Sequence, residues 1–276
     1  MKICIVGLGL IGGSYAMGLS LKGYEVYGID QNQEAIKYAK KQNYIKDGYV
    51  DDFHILSECD CIILAIYPQA ILDFLKQHSH LFQENQVLTD VCGVKSSFVR
   101  KATLLAGKAI YLSHHPMAGK EKIGIEYADS SIFKGANFLI TPIDSLNAYA
   151  EEILKRIAQD LEFGRITTIS IERHDQMIGF TSQLTHAIAV SLVNSDHDED
   201  TVKFIGDSYR DLTRIAMIND VLWSELFLEN KDYLLEHISS FEAELDILKN
   251  ALKQDDKATL KKIFNRSTQI RRKMEK

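Results

Sequence analysis

The stretch K-I-C-I-V-G-L-G-L-I-G-G-S, Lys2 to Ser14, reads as an apolar strand that runs into a tight turn and the start of a helix. Gly7, Gly9 and Gly12 fall at G-x-G-x-x-G, with Gly13 and Ser14 opening the helix. In such a turn Gly7 permits the sharp bend and Gly9 lets the backbone approach a pyrophosphate. Gly12 lets the helix pack close to its strand, so that a diphosphate sits on the helix N-terminus. Working outward, a helix to Lys22 and a second strand, Tyr24 to Ile29, lead to Asp30, where an acidic side chain accepts from ribose hydroxyls. No arginine follows Asp30 in Q-N-Q-E-A-I-K, so a 2′-phosphate would meet an uncompensated carboxylate, and NAD is expected over NADP.

Composition sets the surroundings of this unit. The 276 residues, 46% of them hydrophobic, suffice for one large core and a smaller one. A net charge of −6, with neither a basic stripe nor an aromatic platform, argues against nucleic acid as a partner. The basic tail from Lys261 to Lys276 alternates with apolar positions and reads as the solvated face of a last helix. No stretch reaches transmembrane length, and the first apolar run lacks a basic leader and a cleavage site, so no membrane association and a cytoplasmic location are expected. Cys4, Cys59, Cys61 and Cys92 lie in or beside strand candidates, where a thiol acts as a small apolar group. The pair Cys59 and Cys61 would share a strand face, but nothing completes a ligand set and no metal is expected.

The chain divides by pattern. Up to Ile169 strands alternate with helices, the later strand candidates being Cys61 to Ile66, Gln86 to Asp90, Ala109 to His114, Ala136 to Thr141 and Arg165 to Ile169. From Ser170 onward there is no proline, only Gly179 and Gly206 remain, and apolar residues recur at three and four. The reading is α/β: a Rossmann dinucleotide-binding domain over 1–169, then an all-helical domain of four or five helices over 170–276. Helices too few to enclose a core of their own are expected to meet those of a second copy in a homodimer.

Several groups are candidates for chemistry. In S-H-H-P-M-A-G-K-E, Ser113 to Glu121, a strand leads into a histidine pair and a loop. Strand alternation sends neighbouring side chains to opposite faces, so His114 is expected to pack at the sheet edge. His115, on the loop side and held extended by Pro116, is the candidate for proton chemistry. Gln183 and His186 share a helix face three residues apart. In Y-R-D-L-T-R-I-A surface ion pairing accounts for Arg210. Arg214, among Leu212, Ile215 and Ala216, is expected to be half-buried and to hold an anion.

Taken together, G-L-G-L-I-G-G-S, T-D-V-C-G-V-K (Thr89 to Lys95), H-P-M-A-G (His115 to Gly119), Q-L-T-H-A (Gln183 to Ala187) and D-L-T-R-I-A followed by Trp223 and F-L-E-N resemble the prephenate and arogenate dehydrogenases of tyrosine biosynthesis, the TyrA family. The resemblance extends from Lys2 to about Asn230. It implies an NAD- or NADP-linked oxidative decarboxylation, of prephenate to 4-hydroxyphenylpyruvate or of arogenate to tyrosine. It also implies that His115 is the catalytic histidine, that Arg214 binds a substrate carboxylate, that His186 lines the substrate pocket and that Trp223 lies near it. One departure stands out: many members carry a serine where this chain has Gly93, and that serine hydrogen-bonds the catalytic histidine. Prephenate and arogenate differ by a keto against an ammonium-bearing side chain, and Glu121, Asp207 and Asp211 are the carboxylates available to recognise an ammonium. A 3-hydroxyacid dehydrogenase would place a lysine in a G-x-x-x-K setting in its second domain, which this chain lacks. A non-catalytic NAD-sensing protein would need neither His115 nor Arg214.

Overall fold

The structure, a computed structural model, describes residues 1–143 and 145–275. Its first half is a parallel sheet in the order β3-β2-β1-β4-β5-β6. The strands are β1 (Lys2–Val6), β2 (Glu25–Ile29), β3 (Asp47–Tyr49), β4 (Cys61–Leu64), β5 (Val87–Asp90) and β6 (Ile110–Tyr111). Helices α1 (Leu10–Leu21), α2 (Gln33–Lys41), α3 (Pro68–His78) and α4 (Val99–Leu105) connect them. The chain winds outward one way from β1 and then the other way from β4. The crevice between these two strands is the switch point where α/β sheets hold their ligands, and Gly7 stands at its rim. Both faces of the sheet are covered. Ile3 and Ile5 point into one apolar cluster, Cys4 and Val6 into the other, which is why β1 reads as an unbroken apolar run.

Two strand expectations need correction. The segment expected as one strand over Ala109 to His114 is two: Leu112 donates its N–H to Leu88 O at 2.9 Å, ending the pairing with β5, and the chain then leaves the sheet. The second piece, β7 (Ser113–Pro116), pairs antiparallel with β8 (Asn137–Thr141), which pairs in parallel with β9 (Arg165–Thr168). His115 therefore lies within a strand, opposite Leu139, and not on the loop beyond it. Cys59 and Cys61 do not share a strand face either, since Cys59 ends a 3₁₀ turn before β4 and the two pack into opposite clusters. All four cysteines are free and buried, and no grouping suited to a metal occurs among the described residues.

After α5 (Ala148–Asp160) and β9 the chain is helical. Ser170 caps α6 (Ile171–Ile178) by accepting from Arg173 N. A π-helical turn, Gly179–Gln183, joins α6 to α7 (Leu184–Asn194). Here the helix that carries His237 packs so close that a Cβ on Gly179 would lie 3.1 Å from the His237 ring. Helices α8 (Asp207–Thr213), α9 (Asp220–Glu229), α10 (Lys231–Lys253) and α11 (Lys257–Lys273) follow. These helices bury little within the chain: α8 and α11 contain no buried residue, and α10 buries only Leu234 and Ala251. Leu228 and Phe264 are 71% and 56% exposed. No helix among the described residues is long and apolar enough to cross a membrane.

Candidate active site

The cofactor end is built at the carboxyl edge of the parallel sheet. Gly7 takes φ +93°, and a Cβ there would lie 2.5 Å from Ala65 O; a Cβ on Gly12 would lie 1.8 Å from Gly7 O. Gly9 is different, because a Cβ there meets nothing within 4 Å. Gly9 also begins α1 without any side-chain cap, so the first amide groups of the helix face an open cradle that suits a diphosphate. Beyond it lies a cleft of about 510 Å³ lined by Leu8, Asp30, Tyr38, Lys41, Ile123 and Glu126 among others. The Asp30 carboxylate accepts from Leu8 N at 2.6 Å and Asn32 N at 2.7 Å, which fixes it at the end of β2. These residues fit an adenine dinucleotide. The loop after β7 contributes Ile123 to Glu126 to this cleft, a contribution that no sequence motif announced.

The two histidines of β7 part company as the alternation requires. His114 is fully buried, with Tyr15 OH 2.8 Å from Nε2, Thr89 Oγ1 2.6 Å from Nδ1, and Phe138 stacked on the ring. Burial, helped by the Lys95 ammonium, pushes it down to about 3, so it is a neutral core residue. His115 is half-buried on the other face. Its Nδ1 lies 2.9 Å from Nε2 of His174, and Nδ1 of His174 lies 2.7 Å from Oδ1 of Asp175. Burial pushes the His115 imidazole well below the usual histidine range, with His174, Lys95 and His114 adding to the effect. A Cβ built on Gly93 would lie 3.8 Å from His115 Cε1 and 3.7 Å from Leu226 Cδ1, so position 93 adjoins the ring and has room for a small side chain.

The T-D-V-C-G-V-K segment forms the floor. Lys95 is fully buried, and its ammonium donates to Asp90 Oδ1 and to His114 O, both at 2.7 Å. Asp90 also accepts from Tyr111 OH and Cys92 N. Burial alone would raise the Asp90 carboxyl; the Lys95 charge and these hydrogen bonds outweigh it and hold the group below the usual carboxylate range. Removing either partner would leave a bare buried charge.

The helical part closes over this floor. Gln183 is fully buried, its Nε2 donating to Leu226 O at 2.9 Å and its Oε1 accepting from Asn230 at 2.7 Å, so its amide ties α9 to the π turn. Three residues on, His186 presents its ring to Trp223 with centroids 3.7 Å apart, while its Nδ1 faces Ser182 O at 2.9 Å. Trp223 and Leu226, three apart on α9, join the His186 wall to the His115 floor. Arg214 overturns one expectation. Its side chain is 66% exposed, not half-buried, and pairs with Glu121 at 2.8 Å. The reason is local: Arg214 opens a short 3₁₀ turn after α8, where Leu212 is itself exposed and gives no cover. Arg210 pairs with Asp207 at the surface, as expected.

His174 and Asp175 are the functional candidates that the sequence did not reveal. They carry only an H-D dipeptide near a helix start, and their partner lies 59 residues away.

Comparison with known proteins gives two family-model matches: the nucleotide-binding domain of prephenate dehydrogenase over residues 16–166 and its dimerization domain over 170–266. The prephenate dehydrogenase of Lactococcus lactis is 30% identical over 99% of this chain and 77% of its own length. That of Bacillus subtilis is 29% identical over 98% and 75%. A solved structure of the Aquifex aeolicus prephenate dehydrogenase in complex with hydroxyphenyl propionate and NAD+ matches with a TM-score of 0.87. It is 28% identical and covers 100% of this chain and 98% of that one.

Proposed function

The chain belongs to the prephenate dehydrogenase family, and we propose that it is an NAD-dependent oxidoreductase that converts prephenate to 4-hydroxyphenylpyruvate and CO₂. The observation that carries this reading is the position of His115, a half-buried imidazole steadied at Nδ1 and placed just past the carboxyl edge of the sheet that carries the glycine turn. Gly7, Gly9 and Gly12 would cradle the diphosphate of NAD, and Asp30 would accept from its ribose diol. When bound, NAD supplies the hydride acceptor. His115 accepts a hydrogen bond from the C4 hydroxyl and takes up positive charge as it develops. Arg214 anchors a substrate carboxylate in competition with Glu121, an orienting contact that holds the ring for reaction. His186 and Trp223 wall the ring, and Gln183 positions the α9 backbone behind them. The dinucleotide-binding part is 1–169, and the part that binds substrate and makes a homodimer is 170–276. The exposed apolar residues of α9 and α11 support that dimer, and the cytoplasm is the proposed location.

Product analysis tests the reading. With NAD and each substrate in turn, prephenate is expected to yield 4-hydroxyphenylpyruvate with the higher kcat/KM. Failure to reduce NAD with either substrate would overturn it. Arogenate is the second reading, favoured by one observation: Glu121, its side chain 34% exposed, lies at the proposed carboxylate anchor and would be released when a substrate carboxylate takes Arg214, whereas the Asp207 side chain is 94% exposed. Tyrosine as the main product would decide for it.

A further inference from the structure

We propose that His174 and Asp175 act as positioning residues for the reaction, fixing the tautomer of His115 and receiving the positive charge that it gathers. The proposal rests on His115 being the group that meets the substrate hydroxyl.

The geometry leaves one consistent assignment of protons. Asp175 Oδ2 already accepts from Ser96 N at 2.6 Å, and Oδ1 accepts from Lys95 N at 2.9 Å, so the carboxylate is held by two backbone amides at the end of the floor segment. An ionised carboxylate only accepts, so the contact from Oδ1 to His174 Nδ1 at 2.7 Å puts the proton on that nitrogen. His174 Nε2 is then bare and can only accept from His115 Nδ1 at 2.9 Å. It follows that His115 carries its proton on Nδ1 and keeps Nε2 as a free lone pair. Both His174 and Asp175 are fully buried, and Asn230 donates to Asp175 O at 3.0 Å, which locks the helix that carries them. Position 93, beside Cε1 of the His115 ring, is glycine and offers no hydroxyl, so orientation of the imidazole falls to His174.

During turnover, with bound NAD supplying the hydride acceptor for C4, the hydroxyl proton would move onto His115 Nε2. The His115 Nδ1 proton can shift to His174 Nε2, placing the cation against Asp175. When the bond between the ring and its carboxylate breaks and CO₂ leaves, its electron pair restores the aromatic ring, and the protons shift back to give the phenol. No proton is gained or lost by the site. The other charged groups facing this chain are Lys95 and Asp90, which neutralise one another at 2.7 Å, and His114 stands behind as a neutral ring.

Two measurements test the proposal. NMR of isotope-labelled histidine in the whole protein is expected to show His115 and His174 both protonated on Nδ1; an Nε2-protonated His115 would overturn the proposal. This readout is independent of which substrate is used. In kinetics, His174→Phe keeps an aromatic ring but removes the acceptor. Turnover is expected to fall about tenfold to a hundredfold, as when an orienting partner behind a working imidazole is lost, with KM changed less than about threefold. The acidic limb of the kcat profile should move to lower pH, because the His115 cation loses its stabilising partner. NAD affinity should hold. Asp175→Asn should shift the limb in the same direction, and it serves as the second variant should His174→Phe not fold. An unmoved acidic limb in either folded variant would overturn the relay. If the wild-type protein oxidised neither prephenate nor arogenate, the functional reading would fall while the tautomer measurement still decided the relay.

Discussion

At the scale of residues, His115 and Arg214 make separable predictions. His115→Asn should lower turnover about 10²- to 10⁴-fold and change KM little, since the acceptor matters as charge develops. Steady-state kinetics with prephenate checks this. Arg214→Gln should do the reverse. A solvent-exposed, charge-assisted contact worth about 1.5 to 3 kcal/mol predicts a rise in KM of about tenfold to a hundredfold, with kcat less affected. An unchanged KM would move the carboxylate anchor elsewhere. Because burial holds His115 below the ordinary histidine range and the neutral ring is the proposed working form, wild-type activity should persist to a lower pH than a free imidazole would allow. If Asp30 accepts from the ribose diol as proposed, Asp30→Ala should shift the ratio of specificity constants for NAD and NADP toward NADP. The place of Asp30 at the end of β2 was legible in sequence because strand, turn, helix and strand fix it by local spacing. The partner of His115 was not, because neither the distance nor the direction of a side chain on another element is encoded in spacing.

At the scale of elements, the glycine turn separates folding from binding. Gly12→Ala would place a methyl 1.8 Å from Gly7 O, so α1 must move off its strand. A marked loss of thermal stability is expected. Gly9→Ala meets nothing within 4 Å in a backbone conformation that alanine adopts freely, so its melting temperature should match the wild type while NAD affinity falls. Thermal unfolding and NAD titration of both variants check the contrast; equal stability of the two would refute it. The junction at Leu112 teaches a related point. Ala109 to His114 has the composition of one strand, and only the competition between β5 and β8 for its backbone hydrogen bonds breaks it in two. That break turns His115 toward α6 and brings it to His174.

At the scale of the whole molecule, buried neutral histidines govern acid stability. The folded-state value of His114, about 3, lies below the unfolded value of 6.5. Its contribution is therefore fully present above 6.5 and is lost as pH falls from there toward 3. Each such histidine withdraws at most about 1.4 kcal/mol per pH unit, so His114 alone predicts a loss of about 2 kcal/mol by pH 5. His115 and His174 are shifted in the same direction and steepen the fall. Denaturant midpoints at fixed protein concentration, compared at pH 7 and 5, measure it, and a flat profile would contradict the buried assignment. Light scattering should give twice the 31.3 kDa chain mass, and a clean monomer would remove the homodimer. The sequence by itself determined most of the sheet half, the glycine turn with Asp30 at the end of β2 and the helical character after Ser170, because each rests on periodicity or spacing within a short span; the family was legible from the resemblance of motifs spread from Lys2 to about Asn230. Tertiary structure alone decided that Arg214 is exposed and paired with Glu121, that the Gln183 amide is engaged within the helical part, and that His115 meets His174 and Asp175. Those outcomes depend on which distant element covers a side chain, and that is fixed only when the helices pack against the sheet.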